Sequence, residues 1–247
     1  ALNYYPSSRL PSGEPQIADY ALGLDYHDIV KSKLRQLADR VGIAHYRAFV
    51  DTAPVLERYW AVQAGLGWIG KNNQLIIPHA GSEFFLGELF VPIALPPDNP
   101  KPNHCGTCHR CVDACPTHAI CLPVEHVDGY GDVAPFDSNK CLSYQTIENC
   151  GDLSDEARSA MDDTFYGCDR CQRACPHNRF ATSTCVPELQ PREALLDMTR
   201  QKWDNLTLED YRRLFKGSAV KRAKYEGLMR NINALPDKRN AEIRKKE

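Results

Sequence analysis

All eleven cysteines of this 247-residue chain lie between Cys105 and Cys185. Four of them, Cys105, Cys108, Cys111 and Cys115, form a C-x2-C-x2-C-x3-C run closed by Pro116. Three thiolates at that spacing can wrap one iron–sulfur cube, while the fourth is projected toward a second cube. A zinc ribbon would instead present separated C-x2-C pairs. Residues Cys108 to Pro116 recur as Cys168 to Pro176, with six identities in nine positions. The second run is a degenerate copy, because Phe165 stands where its first cysteine should be. A second cluster held by Cys168, Cys171 and the exchanged Cys115 is therefore one thiolate short. Cys121, Cys141, Cys150 and Cys185 are the candidates. Cys141 is preferred because it opens the segment Cys141 to Glu148 after a turn-forming Asp137-Ser138-Asn139. The expected ligand sets are Cys105, Cys108, Cys111, Cys175 and Cys115, Cys141, Cys168, Cys171. Cys121, Cys150 and Cys185 are left as ordinary thiols.

The rest of the composition narrows the class. An odd number of cysteines confined to one stretch does not fit a secreted disulfide scaffold. At 43% apolar and 25% charged residues the chain resembles an ordinary globular protein able to bury a core. Its longest apolar candidate, Phe84 to Leu95, is interrupted by Glu88 and Pro92, so no membrane span is expected. No secretory signal is legible, and a cytoplasmic location is expected. The formal charge of −2 conceals an asymmetry. From Lys216 onward there are ten Lys/Arg against four Asp/Glu, a net of +6, which leaves −8 for the remainder. Lys216, Lys221, Arg222, Lys224 and Arg230 have spacings that can line a helix and could meet phosphates; a solvated basic face is the alternative.

Residues 16–42 place Ile29, Leu34, Leu37 and Val41 near helical spacing and end on Gly42, which predicts a helix. Ala44 to Val50 reads as a strand, and Asp51-Thr52 before Pro54 opens a second helix. The Gly65-x-Gly67-x-x-Gly70 match follows a helix and leads to a strand, the reverse of a dinucleotide-binding turn, so the glycines predict a tight, close-packed loop. Strands are expected at Gln74–Pro78 and Phe84–Leu95. Four prolines in residues 96–102 mark a boundary. Helical patterning returns from Pro187 to Leu235.

Several collinear motifs now carry a family resemblance. Val50 to Arg58, Ala64 to Lys71, Phe85 to Glu88, the cysteine run, Cys141 to Glu148 and Tyr166 to Asp169 together resemble the epoxyqueuosine reductases, cobalamin-dependent enzymes that complete queuosine in tRNA. The resemblance spans about Leu2 to Ile232. It implies an α+β chain. A mixed α/β cobalamin-binding domain, nitroreductase-like and incomplete at its N-terminus, would cover residues 1–97. A ferredoxin-like domain with two [4Fe–4S] clusters would cover 98–186, and a helical segment with a basic tail 187–247. The implied reaction reduces an epoxide in the tRNA anticodon loop to a cyclopentene. Electrons would pass from a low-potential donor such as flavodoxin or ferredoxin through the clusters to cobalamin, in a monomer.

By the same resemblance Asp51 is the proton donor and touches the cofactor, and the corrin lies against Leu75, Leu86, Phe90, Ser143, Cys168 and Asp169. Read without it, Asp51 or Thr52 is a natural helix cap, and Leu75, Leu86 and Phe90 are core residues of strands. Ile147, Glu148, Lys221 and Arg222 are the expected tRNA neighbours. His104, His109, His118 and His177 border the clusters but are not required as cobalt ligands. A reductive dehalogenase or a bare electron carrier are the competing classes; the substrate separates the first, and corrin binding the second.

Overall fold

The computed structural model describes residues 1–122, 125–127 and 131–236. Among the described residues there are ten short strands and ten α-helices, a mixed α and β chain whose C-terminal part is helical. The strands are β1 (Leu2–Asn3), β2 (Gln16–Ile17), β3 (Arg47–Phe49), β4 (Trp68–Ile69), β5 (Leu75–Ile76), β6 (Phe84–Phe85), β7 (Glu88–Phe90), β8 (Glu125–Val127), β9 (Gly131–Val133) and β10 (Thr164–Tyr166). They pair two by two. β1 with β6, β3 with β7, β4 with β5 and β8 with β9 are antiparallel, and β2 with β10 is parallel. The helices are α1 (Tyr26–Arg40), α2 (Glu57–Gln63), α3 (Arg110–Asp113), α4 (Leu142–Ile147), α5 (Asp155–Ala160), α6 (Arg170–Arg173), α7 (Glu193–Leu196), α8 (Arg200–Asp204), α9 (Leu208–Leu214) and α10 (Lys224–Ala234). Among the described residues no helix is long and apolar enough to cross a membrane.

The helix expected over residues 16–42 forms only from its middle. Asp25 caps α1 by accepting the His27 N–H at 3.1 Å, and the chain leaves the helix through Gly42 at φ 71°. The front of that segment is drawn into other structure. The Ala18 N–H donates to the Tyr166 carbonyl at 2.8 Å, and the Asp19 N–H donates to the Asp169 carboxylate at 2.6 Å. These partners lie about 150 positions away, so local periodicity could not register them. The second helix likewise starts at Glu57, leaving Pro54 outside it. The run from Phe84 breaks into β6 and β7 around Gly87.

The glycine-rich turn has a packing explanation. A Cβ on Gly67 would stand 1.9 Å from the Ile76 carbonyl oxygen, and one on Gly65, at φ 65°, would stand 2.7 Å from that of Asn99. Close backbone approach, as in the β4–β5 hairpin, demands glycine there. The largest core gathers Ile17 and Leu22 from the front, Leu142 and Phe165 from the cysteine-rich part, and Trp203 and Ile232 from the C-terminal helices. All three stretches of sequence thus share one core. The segment 96–102 is exposed and without regular structure.

The basic residues from 216 onward do not form one helical face. Ala219–Ala223 is a 3-10 turn, and α10 starts at Lys224 with φ 57°. Arg230 is structural: its guanidinium donates to the carbonyls of Asn149 at 2.8 Å, Gln145 at 3.0 Å and Gly151. These carbonyls belong to the last turns of α4 and the following loop, where helix carbonyls run out of intrahelical donors. Lys238, Arg239, Arg244, Lys245 and Lys246 lie outside the described residues.

Candidate functional site

The two cysteine runs fold alike. In the first, the Ala114 N–H donates to the Arg110 carbonyl at 3.0 Å and the His118 N–H to that of Cys115 at 3.3 Å. In the second, Ala174 donates to Arg170 at 3.0 Å and Asn178 to Cys175 at 3.1 Å. Each repeat makes one helical turn, α3 or α6, and the two turns pack against each other. This crossing brings the last cysteine of each run beside thiols of the other run. Cys111 lies beside Cys105 and Cys175, while Cys115, Cys141, Cys168 and Cys171 line one cavity of about 200 Å³. Phe165, at the position of the lost cysteine, is fully buried against Trp203 at 4.9 Å and belongs to the core.

Backbone amides serve the sulfurs. The Ala119 N–H donates to Cys115 Sγ at 3.3 Å, and the amides of Ser143 and Tyr144 face Cys141 from the start of α4. The thiols are nonetheless hard to ionise. Burial, then the neighbouring thiols Cys105 and Cys175, pushes Cys111 up to about 11. Burial also pushes Cys168 up to about 11 and Cys171 higher still. Buried thiols this close cannot all carry charge by themselves, whereas bound iron deprotonates its thiols outright. Among the described residues no three His, Cys, Asp or Glu groups converge on a single ion. A four-iron cube has the opposite requirement, since its thiolates ligate different irons and stand apart.

Asn72 supplies a second indication that the cavity suits a cluster. It is 3% exposed, lines the cavity of Cys115 and Cys141, and its Nδ2 has no hydrogen-bond partner among the described residues. Such a donor is costly unless an acceptor faces it, and cluster sulfurs accept hydrogen bonds that set the reduction potential. Replacing Asn72 by Leu is expected to move the potential of that cluster to a more negative value, read by an EPR-monitored redox titration; an unmoved midpoint would assign the amide elsewhere. From the other half of the chain, Lys71 Nζ donates to the carbonyls of Gly106 at 2.7 Å and Cys108 at 2.9 Å, tying down the loop of the first run.

Asp51 lies in a loop at φ 55°, its side chain 57% exposed. The Tyr26 hydroxyl donates to its Oδ2 at 2.5 Å, and His27 Nε2 stands 3.3 Å from the same oxygen. His27 Nδ1 is 2.7 Å from Asp25. Tyr26 is clamped between Phe85 and His27, with ring centroids 4.0 and 4.1 Å away. Asp51 does not cap α2; its own N–H donates to the Glu57 carboxylate. One cavity of about 420 Å³ joins Asp51, Tyr26 and His27 to Ser143, Ile147, Glu148 and Arg222. Another, of about 470 Å³, joins Asp51 to Leu86 and Gln74. Tyr20 borders both of these and the cysteine cavity, and Ser143 borders the first and the cysteine cavity.

The remaining sequence-derived residues divide. Cys168 and Asp169 line the cysteine cavity. Asp169 is buried and accepts the Asp19 N–H, and its carboxyl is pushed up by burial and by the charge of Asp19. Leu75 packs with Ala61, Val62 and Ile69, and Phe90 lies 49% exposed with its ring 5.0 Å from Phe49; neither borders the three cavities. Glu148 is held by Arg222 through bonds of 2.6 to 3.0 Å, and Lys221 is exposed beside it. His104 and His177 pack edge-on against Trp68, at 5.1 and 5.0 Å, and His109 Nδ1 is 2.7 Å from Asp113. Tyr20, Tyr26, His27 and Asn72 escaped the sequence reading, although Asp25-Tyr26-His27 at a helix start is a polar aromatic triplet that could have been noticed.

Buried Glu83 provides a stability test. Desolvation, then Asp19 and Asp169, pushes its carboxyl from 4.5 up to about 8, and its Oε2 has no hydrogen-bond partner among the described residues. Because the folded value lies above the unfolded one, ionisation penalises the fold, and stability is lost as pH rises from the unfolded value through about 8. Melting temperatures taken between about pH 5 and pH 9 should show Glu83→Gln gaining on the parent as pH rises. A constant difference would mean that this charge does not govern the fold.

The paired four-residue turns and the grouped thiols define a two-cluster iron–sulfur protein, and residues 104–178 match the family model of the 4Fe-4S double cluster binding domain. Residues 1–52 match the model described as epoxyqueuosine reductase QueG, DUF1730. The epoxyqueuosine reductase of Cellulophaga algicola is 44% identical over 95% of this chain and 74% of its own length. That of Synechocystis is 42% identical over 94% of this chain and 80% of its own length. The chain belongs to the epoxyqueuosine reductase family. Among solved structures, an epoxyqueuosine reductase with an epoxyqueuosine-modified tRNA-Tyr stem loop superposes with a TM-score of 0.78 at 27% identity, over 93% of this chain and 61% of the other. The Streptococcus thermophilus enzyme does so with a TM-score of 0.78 at 29% identity, over 95% and 61%. The chain thus spans about three fifths of those solved chains.

Proposed function

We propose that this chain reduces epoxyqueuosine to queuosine in the tRNA anticodon loop. The observation that carries the reading is the shared wall: Tyr20 and Ser143 border both the cavity of Asp51 and the cavity of Cys115, Cys141, Cys168 and Cys171. A proton donor and an electron-delivering group thereby open onto adjacent faces of one partition.

Cys105, Cys108, Cys111 and Cys175 hold one cluster, and Cys115, Cys141, Cys168 and Cys171 the other. The cofactor pocket is assigned to the space between Asp51 and the second set, bordered by Tyr20, Leu86 and Ser143, in a cobalamin-binding part of nitroreductase-like character over residues 1–97. Cobalamin there would supply a cobalt centre that accepts single electrons from the clusters and delivers them to the epoxide carbon. Overall, two electrons and two protons enter, the C–O bonds break and one water leaves. Asp51 gives a proton to the developing alkoxide. Tyr26 holds the Asp51 carboxyl in place, and His27, anchored on Asp25 through Nδ1, sets its Nε2 3.3 Å from the same carboxyl.

Ile147, Glu148 and Arg222 form the rim of the same cavity, where a splayed base would enter, and Lys221 adds charge for the phosphates. Opening the Glu148–Arg222 pair would free that guanidinium for the nucleic acid. Mass analysis of tRNA from epoxyqueuosine-accumulating cells, after incubation with this protein, cobalamin and a low-potential reductant, tests the proposal. A loss of one oxygen from the modified nucleoside is expected; an unchanged mass with both clusters and corrin loaded would overturn it.

A further inference from the structure

On the side of the first cysteine set lies a cavity that the reaction above does not use. It encloses about 630 Å³ beside Cys175, and four arginines line it: Arg9, Arg110, Arg173 and Arg179. Two are held by a buried acid. Arg9 and Arg173 reach the Asp19 carboxylate at 2.7 and 2.9 Å, and the Asp19 side chain is 1% exposed. The other two are exposed. Arg110 stands between Cys108 and Cys111 at the start of α3, and Arg179 lies over the Phe180 ring at 4.5 Å. Among the described residues no carboxylate pairs with either. Glu83, the acid lining this cavity, is 2% exposed and presents little to solvent. A concave cationic face therefore flanks a cluster-bearing cysteine on a chain whose first 215 residues carry −8.

The position has a direction. The Cys115, Cys141, Cys168, Cys171 set faces Tyr20 and Ser143, and through them Asp51. Cys175 borders the arginine cavity instead and groups with Cys105 and Cys108. Electrons leaving toward Asp51 must be replaced at the other end, and on this face that end presents the partly exposed Cys175.

We propose that the arginine cavity is the docking surface for a small acidic protein that donates single electrons, its carboxylates meeting Arg110 and Arg179 beside Cys175. The proposal rests on the assignment of Cys105, Cys108, Cys111 and Cys175 to one cluster. The donor loses one electron, the cluster gains one, and no covalent bond changes. Charge complementarity of this kind acts chiefly on the association rate, by about 10- to 1,000-fold, and fades as salt shortens the Debye length to about 10 Å at 0.1 M. Anionic nucleic acid is the rival occupant, disfavoured because the face shares no lining residue with the cavities of Asp51.

The test uses the protein with both clusters loaded, and photoreduced flavodoxin as the acidic donor. Stopped-flow bleaching near 400 nm gives the rate of cluster reduction, and titration calorimetry gives the affinity. In the parent, the flavodoxin rate should fall steeply with added salt; a salt-independent rate overturns the proposal whatever the variants do. Arg110→Glu with Arg179→Glu should slow reduction by flavodoxin at least about tenfold and weaken its binding. Reduction by the methyl viologen radical, which is cationic, should be unimpaired. Unchanged flavodoxin rates, or an equal loss with viologen, would overturn the docking site, and so would a parallel loss of affinity for a tRNA stem loop. Arg179→Glu alone, which leaves the sequence of the ligand loop Cys105 to Cys111 untouched, gives the same reading if the double variant binds less iron. Failure of the enzymatic reading is seen separately, as viologen-reduced protein that leaves the tRNA mass unchanged.

Discussion

Replacing Asp51 by Asn is expected to lower turnover by about 10²- to 10⁴-fold, the range that a positioned general acid contributes, while iron and cobalamin content stay at parental levels. The substitution is suited to the question. Asn is nearly isosteric with Asp, and with Gly and Asp it is among the residues that best tolerate the left-handed backbone found here at φ 55°. Its amide oxygen can still accept from the Tyr26 hydroxyl, and the backbone bond to Glu57 is untouched. What it cannot do is give up a proton to an alkoxide. Single-turnover conversion of epoxyqueuosine-bearing stem loop, followed by nucleoside mass analysis, checks the prediction. Full turnover in a variant that retains clusters and corrin would remove Asp51 from the chemistry and leave it as a loop residue.

Replacing Cys141 by Ser should halve the iron, from about eight atoms per chain to about four, and abolish turnover, because one of two four-iron cubes loses a ligand. Cys141 lies outside both repeated runs, so neither motif alone identifies it. The proposed role is supported by its place among the four spare cysteines: it shares a cavity with Cys115, Cys168 and Cys171, while Cys121, Cys150 and Cys185 border none of the three cavities around the site. Serine is a good N-cap and can accept the same amides at the start of α4, so the fold is spared and the loss reports ligation. Iron analysis and the absorbance near 400 nm, measured beside Cys121→Ser, Cys150→Ser and Cys185→Ser, decide the matter. Loss of iron in one of those three and not in Cys141→Ser would reassign the second cluster.

Some of this was legible without coordinates, for an identifiable reason. Cluster ligation depends on residues two or three apart, and such spacings produce the same turn wherever they occur; the hydrogen bonds of Arg110–Ala114 and Arg170–Ala174 repeat in step with the sequence. The start of α1 was not legible in this way, because residues 16–19 take their partners from Thr164 to Asp169 across the fold. Arg230 shows the same limit, since a charge in a basic stretch reads as a phosphate contact until the helix-end and loop carbonyls it satisfies are seen.

The sequence by itself determined the two-cluster class, the degenerate repeat with its missing cysteine at Phe165, and the family. Only the tertiary structure decided that Tyr26 and His27 flank Asp51, that Tyr20 and Ser143 form the partition between its cavity and the thiols, and that four arginines surround Cys175. The physical reason is range. Ligand spacing acts over a few bonds of chain and is written in consecutive residues, whereas a cavity is enclosed by side chains drawn from distant segments and exists only after the shared core has brought them together.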